Sequence, residues 1–231
     1  MPVLSTSKDI YVPSERTKSC IEQYNNDIKM LSYPIKDVAS KSKKKAHTKL
    51  KIAVCAAVQP RKGQDIFIKA VKALPQKIRS EAEFLILGKE AYPDYIKTLQ
   101  NLAKGVSEIQ FLPATSNFED YHKFVDDLDI LVCPSREDPC PLVVIDAFMH
   151  SVPVIISDHV GQKQLLDNGK NGFVFKSENV PELTSILTKL IQEKIPDTLR
   201  AASRQIFEQN FSDKQFLDTL KQIMENTTCK K

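Results

Sequence analysis

Three short stretches carry the residue types that do chemistry. The first is Arg61-Lys62-Gly63, two cations followed by a glycine. Cations beside a permissive backbone suit a phosphate or diphosphate, above all next to a helix N-terminus. The stretch is neither G-x-x-x-x-G-K-[ST] nor G-x-G-x-x-G, so a solvated basic turn is the simpler alternative. The second is Pro134-Ser135-Arg136-Glu137-Asp138-Pro139-Cys140-Pro141, which runs into an apolar segment holding Asp146. Proline suits a first helical turn, so a helix is predicted from Leu142. Asp138 then stands at its mouth and Asp146 about one turn inside. Carboxylates there accept hydrogen bonds from sugar hydroxyls, while the first-turn amides hold an anion. Helix capping by Asp138 and a surface position for Asp146 are the alternatives. A helix dipole would activate Cys140, but no base lies nearby in sequence, so a packing role is expected. The third stretch is Asp158-His159-Val160-Gly161-Gln162, where His159 either meets a ligand or is solvated. Asp127-Leu128-Asp129 has the spacing of a metal chelator, but it falls between a helix and the start of a strand. That is the wrong edge, and no metal is expected.

These loops need a scaffold that brings them together. From Leu50 onward, short apolar runs alternate with helical stripes. The runs are 50–58, 83–87, 108–112, 129–133, 153–157 and 172–176. Most lack polar alternation, as expected of strands covered on both faces. One stripe is Ile66, Phe67, Ala70, Val71 and Leu74; another is Leu183, Ile186, Leu187, Leu190 and Ile191. Helices at about 196–210 and 212–225 follow. The alternation predicts an α/β fold, a doubly wound parallel sheet with carboxyl-terminal helices. Ligands in such folds bind beyond the carboxyl ends of the strands, where the chemical loops lie.

Ahead of this, residues 1–10 read as a loose end. A helix is predicted from Ser14, a plausible N-cap, to about Tyr24, and a short strand within Lys29–Tyr33. Residues 11–48 would be a separate segment, 49–195 the ligand-binding domain and 196–231 the terminal helices. Lys41, Lys43, Lys44, Lys45, Lys49 and Lys51 fall within eleven residues. Without those six, the net charge of +4 turns negative. The run reads as a solvated linker; a contact for nucleic acid or anionic lipid is the alternative.

Composition narrows the class. The 231 residues are 42% hydrophobic and 27% charged, enough apolar content for a core. No apolar stretch approaches the ~18–20 residues that span a bilayer, and residues 1–18 have no secretory pattern. The expected location is the cytoplasm. Five cysteines without a C-x-x-C pair and four scattered histidines argue against a disulfide framework or a zinc site.

In order and spacing these pieces resemble the donor-binding half of a GT-B glycosyltransferase, similar to glycosyltransferase family 4. VQPRKGQDIFIKAVKAL resembles the family's first-strand loop and helix, and FLILGK its second strand. DILVCPSREDPCPLVVIDAFMHSVPVIISDHVG resembles the diagnostic region with two acidic residues eight apart, and DNGKNGFVF the turn after it. Residues 11–37 look like the last amino-domain helix and the crossover linker. The resemblance implies retaining transfer of a sugar from a nucleotide-diphosphate donor, with no metal or other cofactor. By position, Lys62 would stabilise the leaving diphosphate, helped by Arg61. Asp138 would contact the donor sugar, with Glu137 sharing that role, and Asp146 would hold the ribose. The amides near Leu142 and Val143 would serve the phosphates and sugar. Ala56 and Ala57 stand where the family usually has glycine and arginine, and both acidic positions are Asp rather than Glu. An acceptor-binding domain would precede residue 11, or come from a separate subunit. No nucleic acid and no integral membrane segment is expected; peripheral membrane attachment stays open. The competing expectation is a degenerate nucleotide-binding or interaction module without turnover.

Overall fold

The computed structural model describes residues 5, 7, 9–39 and 48–228, with side chains to 225. The lysines at 41, 43, 44 and 45 lie outside the described residues. Six parallel strands form the central sheet: β3 (Leu50–Cys55), β4 (Ala82–Leu87), β5 (Ile109–Leu112), β6 (Ile130–Cys133), β7 (Val154–Ser157) and β8 (Phe173–Phe175). Their order is β5-β4-β3-β6-β7-β8. Every pairing is parallel, with Ile52 opposite Phe84 on one side and opposite Ile130 on the other.

Alternate strand residues serve the two faces, as the pleat requires. Ile52, Val54, Phe84 and Ile86 pack on one face against α2 (Gln64–Ala73), α4 (Pro93–Ala103) and α7 (Val180–Glu193). Ala53, Cys55, Leu85 and Leu131 pack on the other against α5 (Phe118–Asp126), α6 (Leu142–Met149) and α8 (Asp197–Asn210). The short α3 (Gln76–Arg79) joins α2 to β4. Phe67, Phe84, Phe148, Phe175 and Phe207 are fully buried, each worth roughly 1.5–3 kcal/mol of apolar burial. The doubly wound reading therefore holds.

The chain winds outward from β3 to β5, then returns to start again at β6. The order reverses between β3 and β6, the switch point beside which doubly wound folds carry their ligand crevice, at the carboxyl ends of the strands. The opposite edge is pinned by ion pairs. Asp127 accepts from Lys51 Nζ at 2.5 Å. Asp129 accepts from the Lys51 amide at 3.0 Å and from Arg200 at 2.6 Å. The D-x-D carboxylates thus hold cations of the chain itself.

The amino-terminal segment carries a two-stranded sheet apart from the central one. β1 (Ile10–Val12) pairs in parallel with β2 (Ile28–Met30), connected through α1 (Glu15–Ile21). Ser14 caps α1 by accepting from the Thr17 amide at 3.2 Å. Of residues 1–10, read as a loose end, positions 1–4, 6 and 8 lie outside the described residues. Ile10 is already in β1, Asn25 donates to the Ser7 carbonyl, and Lys29 pairs with Asp9. The strand read within 29–33 is β2, displaced to Ile28–Met30. At the other end, α9 (Asp213–Thr228) follows α8. Ile35 bridges to Ser212, and its amide donates to Phe211 at 3.1 Å, so the two flanking segments leave the sheet side by side.

Candidate functional site

The loops after β3 and β6 meet across the crevice. The β3 loop closes in a 3₁₀ turn, Pro60–Lys62, capped by Gly63 at φ 71°. A Cβ on Gly63 would lie 2.0 Å from the Pro134 carbonyl oxygen, so the two backbones touch only because residue 63 is glycine. Gly161 makes the same close approach to Pro139 from the β7 loop, where a Cβ would stand 1.7 Å from the carbonyl oxygen. Three loops are thereby packed into one rim.

That rim brings the distant candidate residues together. Lys62 Nζ donates to Asp138 Oδ2 at 2.5 Å. Their side chains are only 16% and 9% exposed, so this is a shielded pair. Arg61 Nη1 donates to the Glu137 carbonyl at 2.6 Å. From the amino-terminal unit, Arg16 approaches the Glu137 carboxylate at 3.5 Å. Asp138 is no helix cap: its backbone bridges to Val160 and its side chain faces Lys62.

α6 begins at Leu142, with Pro141 as its N-cap and no side chain capping it. The first-turn amides of Leu142 and Val143 are therefore left for another partner. Asp146 is the one polar residue in α6, and it is half-buried rather than on the surface. Tyr121 on α5 donates its hydroxyl to Asp146 Oδ2 at 2.8 Å. Burial raises the Asp146 carboxyl above its ordinary value; the tyrosine bond and His122 pull it part of the way back. Asp138 lies four residues ahead of α6 and Asp146 is its fifth residue, so both carboxylates belong to one helix and the loop that leads into it.

Arg136, which sequence reasoning passed over, fastens the rim. Its guanidinium makes two bonds of 2.9 Å to the Asp65 carboxylate on α2. It also donates to the Pro60 carbonyl at 2.5 Å and pairs with Glu178 ahead of α7. Its amide donates to the Arg61 carbonyl at 2.8 Å. Burial alone would raise Asp65, but hydrogen bonds from Arg136, Lys69 and Tyr95 hold it well below the usual carboxylate range. A carboxyl lowered on folding adds stability above its ordinary value of 3.8 and loses it as the pH falls further. Asp65→Asn should then cost about 1–3 kcal/mol at neutral pH. Urea unfolding should show the gap to wild type narrowing below pH 3.8.

The remaining candidates have plainer roles. His159 is bonded through Nδ1 to the Arg136 carbonyl at 2.8 Å, which fixes its ring at the rim. Burial, then Asp138, pushes the Cys140 thiol up to about 11, so it is an unreactive packing group. Gln162 donates to the Pro141 carbonyl at 3.1 Å, tying the β7 loop to the start of α6. A separate cavity of about 360 Å³ lies beyond α5, lined by Val38, Phe118, His122 and His150 among others. It is distinct from the strand-edge crevice where the charged loops converge.

A two-sided parallel sheet with cations and carboxylates at its switch point is a doubly wound α/β architecture with charged loops at the strand ends. Solved structures share it. The Anabaena protein Alr3699/HepE in complex with UDP superposes with a TM-score of 0.80 at 18% identity, covering 94% of this chain and 64% of that one. Sucrose-phosphate synthase from Thermosynechococcus elongatus gives 0.78 at 15% identity, covering 100% and 61%. The sequence model described as "Glycosyl transferases group 1" matches residues 35–210, and the chain belongs to that family. Among curated relatives, the amylovoran biosynthesis glycosyltransferase AmsK of Erwinia amylovora is 25% identical over 191 residues, 77% of this chain and 46% of that protein. A glycogen synthase of Thermodesulfovibrio yellowstonii is 26% identical over 176 residues, 72% and 34%. The chain thus spans less than half the length of these relatives. No helix among the described residues is long and apolar enough to cross a membrane.

Proposed function

We propose that this chain is the donor-binding part of a retaining glycosyltransferase that takes a sugar from a nucleotide diphosphate. The observation that carries the reading is the shielded Lys62–Asp138 pair at the point where the strand order reverses. On this reading the diphosphate draws Lys62 toward itself and frees Asp138 for the sugar. Breaking the anomeric C–O bond leaves its electron pair on the diphosphate oxygen, where Lys62, with Arg61 beside it, stabilises the charge. The amides of Leu142 and Val143 and the α6 dipole assist at the phosphates and sugar. Glu137 lines the sugar side with Asp138, and Asp146 takes the ribose hydroxyls. The structural neighbour solved with UDP and with UDP-glucose supports this donor class. The acceptor residues come from a second domain or subunit placed over the crevice, and the charge stabilisation needs no metal.

Calorimetric titration with UDP, ADP and GDP, each with and without EDTA, is the direct test. At least one should bind, to the same extent in both conditions. Failure of all three to bind would defeat the reading. A binding module without turnover is the second reading, favoured by the alanines at 56 and 57 beside the cation loop. Release of sugar from a bound donor, measured with a candidate acceptor subunit present, separates the two.

A further inference from the structure

α6 is apolar at every position except Asp146. A half-buried carboxylate in such a helix needs a partner. Among the described residues it receives one bond, from Tyr121 at 2.8 Å. Burial, then the charge of Asp146, raises the Tyr121 hydroxyl far above its ordinary value, so the phenol keeps its proton and is always the donor. Oδ2 is thereby fixed from α5. Oδ1 has no hydrogen-bond partner among the described residues and is not among the atoms sealed from solvent. An aspartate has one fewer torsion to settle than a glutamate, so a single bond from a neighbouring helix is enough to aim it.

We propose that Tyr121 is a positioning residue for the donor site: it holds Asp146 by Oδ2 so that Oδ1 faces the crevice as a fixed acceptor for a ribose hydroxyl. The inference rests on the donor-binding reading and adds to it a residue from α5. The groups facing Asp146 are few. From α5 they are Tyr121 and His122, the latter lowered below its ordinary value by burial and by His150 although Asp146 opposes this. From β3 it is Cys55, whose thiol burial raises far above neutrality. From α8, the cations against α6 are already engaged, Arg204 by Asp37 and the Met149 carbonyl, and Arg200 by Asp129.

The test compares wild type, Tyr121→Phe, Asp146→Asn and the double variant. UDP affinity is measured by calorimetry from pH 6 to 8, and the Asp146 carboxyl is followed by carbon NMR. Tyr121→Phe should weaken UDP about tenfold. The loss should deepen as the pH is lowered, because the carboxylate without its donor takes up a proton at higher pH. Asp146→Asn should remove that pH dependence, and the double variant should bind no worse than Asp146→Asn. A purely structural bond would lower the melting temperature and leave UDP affinity untouched. UDP binding by Tyr121→Phe equal to wild type across the range would overturn the inference and leave the donor reading standing. Where wild type takes ADP or GDP in place of UDP, the same comparison is made with that nucleotide; binding of none of the three by wild type would overturn both. Should Tyr121→Phe fail to fold, Asp146→Asn carries the test, since it keeps the acceptor for the tyrosine. UDP binding by Asp146→Asn equal to wild type would then be the overturning result.

Discussion

Replacing Lys62 with methionine is expected to separate two functions of one side chain. The first is structural. Methionine fills similar space but leaves the Asp138 carboxylate, 9% exposed, without its cation. Removing one partner of a shielded pair costs about 3 kcal/mol, mostly as the stranded charge. The second is ligand binding: a charged contact to the diphosphate is worth roughly ten- to a hundredfold in affinity. The double variant Lys62→Met with Asp138→Asn should recover most of the lost stability, because no charge is then left unpaired. It should not recover nucleotide binding. Urea denaturation and UDP calorimetry on the same preparations read both quantities. A double variant that binds UDP as tightly as wild type would show that Lys62 serves only its aspartate.

Gly63→Ala should be strongly damaging, because it adds a left-handed backbone to a backbone clash. A left-handed backbone costs a non-glycine residue roughly 1–2 kcal/mol. The new Cβ would also stand 2.0 Å from the Pro134 carbonyl oxygen, a backbone atom that cannot step aside alone. Overpacking adds roughly 1–3 kcal/mol. The β3 and β6 loops must then separate, which moves Lys62 away from Asp138. Loss of about 2–5 kcal/mol and loss of nucleotide binding should appear together. Gly105→Ala is the control: its φ is 82°, but nothing lies within 4 Å of the added carbon. It should cost only the backbone part and leave binding intact. Similar melting temperatures for the two variants would show that the loops do not depend on their contact at Gly63.

Much of the scaffold was readable from residue order because strands buried on both faces cannot hide their composition. All six apolar runs became strands, with ends displaced where the chain leaves the sheet. β3 stops at Cys55, and Val58 bridges instead to Glu90. The start of α6 was readable from Pro141, and Asp146 stands out as the lone carboxylate in LVVIDAFM. The pairings were not readable. Lys62 and Asp138 are 76 positions apart, and only the reversal of strand order joins them. Arg136 sat inside the motif that drew attention, but its partners Asp65 and Glu178 lie 71 and 42 positions away. Tyr121 looked like any amphipathic helix residue, since its hydroxyl matters only once α5 lies against α6.

The bridge between Ile35 and Ser212 has a mechanical meaning. The β1–α1–β2 unit and α9 are attached to the sheet at neighbouring points, although they lie at opposite ends of the described chain. The Ile35 amide and the Phe211 carbonyl clasp the two flanks together, so fraying of either one takes a backbone hydrogen bond from the other.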